Sequence, residues 1–355
     1  MALPPLLRKE LRWGWRKKLP LLVLFVLVPA LFVYGTLAFE HVLPKSVQVA
    51  VAPAGPGATQ DDLSVVRAAV ALFSDPILYE SRDAAMHALS RERVYAVITA
   101  PANLTAGAGA ATVDIFVSGS IVPYQEPATV LASVADRGLS SLLDRPVSTT
   151  YTVVGREWTL SAYLLPTFLF VLVLLVAFAY LPYNLASEEA AIDRLRLESS
   201  LYRVVAAKLG AFTALLVLPI AVFDLASGYL GTPVAFLRPS VLAVYALCFL
   251  AAGTLAAAVT VALRFSAWGR LANLAVLLFC LAFSGLAYPR GFFSVARRDF
   301  ITALPTYHAM VAARGFTLRG QPLTAYADTL LLLCGTLAVC CALFAGSVRY
   351  YERGA

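Results

Sequence analysis

The chain has 355 residues, of which 60% are hydrophobic and only 14% charged, with a mean hydropathy of +0.77. Soluble globular proteins carry about a quarter charged residues, so an ordinary water-soluble fold is excluded and an integral membrane protein is expected. The net charge of +7 comes without a basic cluster interleaved with aromatics, so it reads as membrane topology and not as affinity for nucleic acid.

Residues 1–18 place Arg8, Lys9, Arg12, Arg16, Lys17 and Lys18 around Trp13 and Trp15. This pattern predicts an amphipathic helix on the cytoplasmic membrane surface, with indoles at the interface and cations in water. Residues 19–39 then run without a charge. That run exceeds the roughly 7–15-residue core of a secretory signal and approaches the ~20 residues a span needs. A first transmembrane helix is expected there, not a cleaved leader.

Residues 40–157 are polar enough, and numerous enough, to fold as a separate unit. Val47, Val49 and Val51 alternate as in a half-buried strand. Thr59 and Asp62 form a capping-box pattern ahead of Leu63, Val66, Val70 and Phe73, which share a helix face. Residues 81–91 suit a second helix with Met86 and Leu89, 94–99 a strand, 113–117 a third strand and 127–143 a last helix. The expectation is a small α/β domain with a mixed sheet, inserted between the first and second spans. His41 and His87 lack companions at metal-ligand spacing, and no nucleophile or carboxylate pair is signalled, so no catalytic or metal site is expected. Asn103-Leu104-Thr105 is a glycosylation sequon in a predicted exposed loop.

Five more spans are predicted at 158–181, 209–230, 241–263, 271–288 and 326–348. The expected fold is therefore an α-helical polytopic membrane protein with six transmembrane helices. Lys and Arg are densest before the first span, in 183–208, in 264–270 and after residue 348. That puts both termini and the tail 349–355 in the cytoplasm, and residues 40–157 outside the cell membrane. Asp224 and Asp328 fall toward outer span ends. Segment 289–325 resists this rule, because it carries Arg290, Arg297, Arg298, Arg314 and Arg319 on the outer side. A re-entrant or interfacial segment whose arginines meet lipid phosphates would accommodate them. The cysteines Cys248, Cys280, Cys334, Cys340 and Cys341 all lie in apolar runs and read as packing or lipid-facing residues. Small residues at 251–253 and 256–258 permit close helix approach, within one subunit or between two.

Between the second and third spans, residues 187–203 form a charged amphipathic helix pattern. Ser187 suits its N-cap, and Glu188, Glu189, Asp193, Arg194, Arg196 and Glu198 surround a narrow stripe of Ile192 and Leu195. Insertion needs no such element, so a cytoplasmic docking surface is expected. The Glu188-Glu189, Leu195, Ser199-Ser200 and Ala207-Lys208 spacing, with Leu304-Pro305-Thr306-Tyr307-His308 and Ala312-Ala313-Arg314-Gly315-Phe316 before the last span, resembles the membrane subunit of type-2 ABC exporters that carry a large external domain. The Gly-Thr usual in that family's helix is replaced by Ala190-Ala191-Ile192, and its usual Pro by Ser200.

The resemblance implies that Glu188, Glu189, Asp193, Arg194, Leu195, Arg196 and Glu198 form a coupling helix. It would seat in a separate ATPase subunit that binds ATP and Mg, paired with a second permease copy or close relative. This chain has no phosphate-binding G-x-x-x-x-G-K-[ST] loop and would bind no cofactor itself. The expected activity is export of an apolar or amphipathic substrate by alternating access. Two alternatives are a membrane-anchored assembly or receptor protein acting through residues 40–157, and a polytopic membrane enzyme.

Overall fold

The computed structural model describes residues 47–353, apart from 108, 144–145, 188–199, 230, 232–233, 287 and 294. The surface helix expected at 1–18, the first span, His41 and the charged residues 188–198 lie outside the described residues.

The first part of the described chain alternates strands and helices: β1 (Gln48–Pro53), α1 (Gln60–Ala71), β2 (Asp75–Leu78), α2 (Arg82–Ser90), β3 (Ala96–Ala100), β4 (Ala111–Ser118), α3 (Val122–Leu143) and β5 (Val147–Val154). They form one mixed sheet in the order β2-β1-β3-β4-β5. β1 is parallel to β2 and β3, β3 is antiparallel to β4, and β4 is parallel to β5 along eight paired residues. The valine alternation predicts a half-buried β1, but the strand is covered on both faces. Val49 and Val51 pack with Leu63, Val66 and Val70 of α1, while Ala50 and Ala52 face Ala85, Ala88 and Leu89 of α2. The alternation that reads as apolar and less apolar is large against small, with the valines packed under α1 and the alanines under α2.

The capping box forms as the sequence predicts. Asp62 N donates to Thr59 Oγ1 at 3.2 Å, and Thr59 N donates back to Asp62 Oδ2 at 2.9 Å. Two strands escape the sequence reading. β2 is a four-residue edge strand containing Pro76, which only an edge tolerates. β5 alternates threonine and serine with apolar residues at the opposite edge. α3 begins at Val122, earlier than the 127 expected from its proline. Tyr124 is buried there, 5.8 Å from the Tyr95 ring and 6.3 Å from Phe292, and this contact holds the additional turn.

The second part is helical: α4 (Leu160–Ser187), α5 (Leu201–Tyr229), α6 (Pro239–Ala262), α7 (Ala267–Phe283), α8 (Val295–Ala303), α9 (Pro305–Thr317) and α10 (Leu323–Arg353). Four of these, α4, α5, α6 and α10, are long and apolar enough to cross a membrane; α7 is apolar but shorter at 17 residues. α6 is the hub, with 67% of its most apolar window buried against 17% for α5 and 22% for α10. The small residues of α6 serve this internal packing. Ala251, Ala252, Ala256, Ala257 and Ala258 are all buried, and a Cβ on Gly253 would sit 2.8 Å from Leu209 Cδ2. The outward faces of α5 and α10 instead present Leu218, Val222, Leu225, Leu331 and Val339, as lipid-facing surfaces do.

α4 contains one wide π turn at Val176–Tyr180, a local insertion that rotates the following residues relative to those before it. Several polar groups in this region bond to neighbouring helices, although Asn273 Oδ1 is buried without a donor among the described residues. Tyr245 Oη donates to the Pro166 carbonyl at 2.9 Å, and Asn273 Nδ2 donates to the Ala256 carbonyl and Thr260 Oγ1. Cys248, Cys280 and Cys340 are buried, Cys334 and Cys341 are exposed on α10, and all five thiols are free.

Candidate functional site: the domain–bundle junction

The α/β domain docks on the end of the bundle where α4, α6 and α10 begin, through the segment between α7 and α10. At the centre is Glu92. It follows α2 and adopts a left-handed backbone (φ 55°), which turns its carboxylate away from solvent and toward the bundle. Arg314 of α9 grips that carboxylate with a two-point fork: Nε to Oε1 at 3.2 Å and Nη2 to Oε2 at 2.8 Å. Arg319 adds a third donor, Nη1 to Oε1 at 2.9 Å. Glu92 is 1% exposed and Arg314 0%.

Most of the remaining donors are used as well. Arg314 Nη1 reaches the Tyr163 hydroxyl and the Leu286 carbonyl, while Arg319 reaches Ser120 Oγ and Tyr326 Oη. Tyr326 Oη in turn donates to the Ser90 carbonyl at 3.3 Å. Burial raises the Glu92 pKa, but the two guanidinium groups outweigh it and hold the carboxyl below its ordinary range. Burial likewise opposes the Arg314 charge, and Glu92 overcomes it, so the guanidinium is held more firmly protonated than usual. Burial pushes the Tyr307 hydroxyl up to about 12, so it stays neutral.

Further contacts surround this triad. Arg91 pairs with Asp328 at the start of α10 and stacks over the Tyr326 ring at 5.5 Å. Arg290 donates to Gln48 Oε1 and to the Arg93 carbonyl, and Arg298 lies 3.6 Å from Asp75 Oδ2. Trp158 Nε1 donates to the Leu318 carbonyl at 3.1 Å. Two glycines allow the surfaces to close: a Cβ on Gly291 would lie 2.6 Å from the Tyr95 ring, and one on Gly315 would overlap the Tyr326 ring.

This geometry corrects one expectation. Arg290, Arg298, Arg314 and Arg319 engage protein groups, mostly of the α/β domain, and Arg297 donates to the Ala282 carbonyl and stacks on Phe293. They are not spread toward lipid phosphates. The physical reason is that one buried carboxylate and several main-chain carbonyls offer these donors a geometry that mobile headgroups cannot. Asp224 and Asp328 are also engaged. Asp224 Oδ1 accepts from the Phe236 and Leu237 amides and closes the loop after α5.

None of Glu188, Glu189, Asp193, Arg194, Leu195, Arg196 and Glu198 lies within the described residues. The helix ends that bracket them are tied together, with Lys208 Nζ donating to Asn184 Oδ1 at 2.7 Å. Sequence reasoning misses Glu92 altogether. The available signal is the arginine excess at 289–325, which calls for a buried carboxylate elsewhere in the chain. The sequon loop is also more engaged than expected: Asn103 is exposed, but Leu104 is buried and Thr105 donates twice to Asp62 Oδ1.

Beside the triad lies a cavity of about 420 Å³ between the domain and the span ends, lined by Arg156, Arg238, Arg319, Trp158, Met86 and Leu89 among others. Among the described residues, no group of three or more His, Cys, Asp or Glu is placed to hold a metal ion. No protein-family model, curated protein or solved structure matches this chain.

Proposed function

We propose that this chain is the membrane subunit of an ATP-driven exporter, in which a partner ATPase moves the bundle and the outer α/β domain moves with it. The observation that carries the reading is the buried Glu92–Arg314–Arg319 junction. A receptor domain needs only a tether to its anchor. A buried ion triad costs desolvation, and what it provides is a fixed relative position of the parts it joins. Motion of α4, α6 or α10 is then transmitted to the domain without slack.

In this reading, the lever is the charged segment 187–203, where Glu188, Glu189, Asp193, Arg194, Leu195, Arg196 and Glu198 meet the ATPase on the cytoplasmic side. The test is charge reversal at Glu188, Glu189 and Asp193 in the full chain, followed by affinity purification in mild detergent. Loss of a co-purifying ATPase and of transport, with membrane insertion intact, is the expected result. Unchanged transport, or no ATPase bound to the unaltered chain, refutes the reading and leaves the anchored-receptor alternative.

A further inference from the structure

We propose that the cavity between the α/β domain and the bundle binds an anionic amphiphile, a phosphate-bearing head on an apolar tail. The inference is independent of the transport reading. Its first basis is charge. Arg156, Arg238 and Arg319 line the cavity, and among the described residues no Asp or Glu does. Glu92, the carboxylate that Arg319 meets, is already divided between Arg314 and Arg319. One negative charge against two leaves the buried junction with an excess cation, and Arg156 and Arg238, both solvent-exposed, add two more positive charges to the lining. Neither of those two has an ion pair with a carboxylate among the described residues. A buried excess of positive charge is costly unless an anion accompanies it.

The second basis is an unmet hydrogen-bond donor. Arg319 has a side chain only 8% exposed, and its Nε is buried with no acceptor among the described residues. Arg290 Nε is in the same state, but of the two only Arg319 lines the cavity, and a buried donor without an acceptor calls for a missing partner.

The third basis is position and lining. Trp158 lies just before α4 and Arg238 caps the start of α6, so the cavity opens where two apolar spans end. Met86, Leu89 and Trp158 add apolar surface to the lining. Arg156 is held over the Trp158 ring at 4.6 Å, which fixes its guanidinium at the cavity edge. Gly320, in a left-handed backbone (φ 63°), lets its loop approach Arg238, where a Cβ would lie 3.2 Å from Nη1. A charged head can meet the arginines while its tail contacts the apolar side chains of the lining.

The experiment titrates the purified full chain in neutral detergent with dioctanoyl phosphatidic acid, dioctanoylglycerol and inorganic phosphate by calorimetry. Phosphatidic acid is expected to bind at least tenfold more tightly than either of the others, and the Arg156→Gln/Arg238→Gln variant to lose at least tenfold of that affinity. Both substituted residues lie outside the Glu92 triad, so the junction remains closed. Equal binding of the neutral lipid removes the anion requirement and overturns the proposal. Inorganic phosphate binding as tightly overturns the amphiphile assignment in favour of a free-anion site. The comparison of the three ligands on the unaltered chain decides the matter even if the variant does not fold.

Discussion

Replacing Glu92 with glutamine probes the junction directly. The Glu92 carboxylate accepts three guanidinium N–H groups, at 2.8, 2.9 and 3.2 Å. Glutamine keeps the shape but offers one acceptor oxygen and points an NH₂ at donors. Two buried cations are then left without a counter-charge, a change that costs about 3–5 kcal/mol. Against a total stability of about 5–15 kcal/mol, that is enough to loosen the domain from the bundle. Thermal unfolding of the full chain in detergent, with limited proteolysis between β5 and α4, measures it. The Glu92 carboxyl titrates below its ordinary range in the folded chain. Its contribution is therefore complete above the unfolded value, about pH 4.3, and is lost as pH falls through the folded value. The Glu92→Gln variant should lack this part of the acid destabilisation. Replacing Glu92, Arg314 and Arg319 together by apolar residues should recover most of the loss, because no charge is then stranded. A loss below about 1 kcal/mol for Glu92→Gln, the size of an exposed pair, would refute the reasoning.

Gly315→Ala should destabilise the chain by about 1–3 kcal/mol, since the new Cβ runs into Tyr326, which is held by Arg319 and Ser90. Gly335→Ala, with nothing within 4 Å, serves as the matched control and should leave the melting temperature unchanged or higher. Asp62→Asn should cost the α/β domain about 2–3 kcal/mol, because both carboxylate oxygens accept two bonds each, from Thr59 and Thr105. Burial raises the Asp62 pKa, but those hydrogen bonds bring it from 3.8 down to about 2. Its contribution is present above the unfolded value and fades as pH falls toward 2, and melting curves across that window should show a weaker acid dependence in the variant.

Much of the architecture follows from local pattern. Apolar run length marks the four long helices, and the Thr59–Asp62 box marks the start of α1. Both signals act within a few residues, where spacing alone specifies the chemistry. The two edge strands are not legible, since β2 is short and contains a proline and β5 is rich in threonine and serine. Their strand character comes from partners already in place.

Glu92 is less legible still. It stands in a charged Arg-Glu-Arg triplet that resembles any solvated turn, and its partners lie 222 and 227 residues away. Composition and run length are enough to say that this chain is built for a membrane, and that five arginines near residue 300 need an explanation. That those arginines turn inward is a property of the packed molecule, because ion pairing between distant residues depends on which surfaces packing brings together.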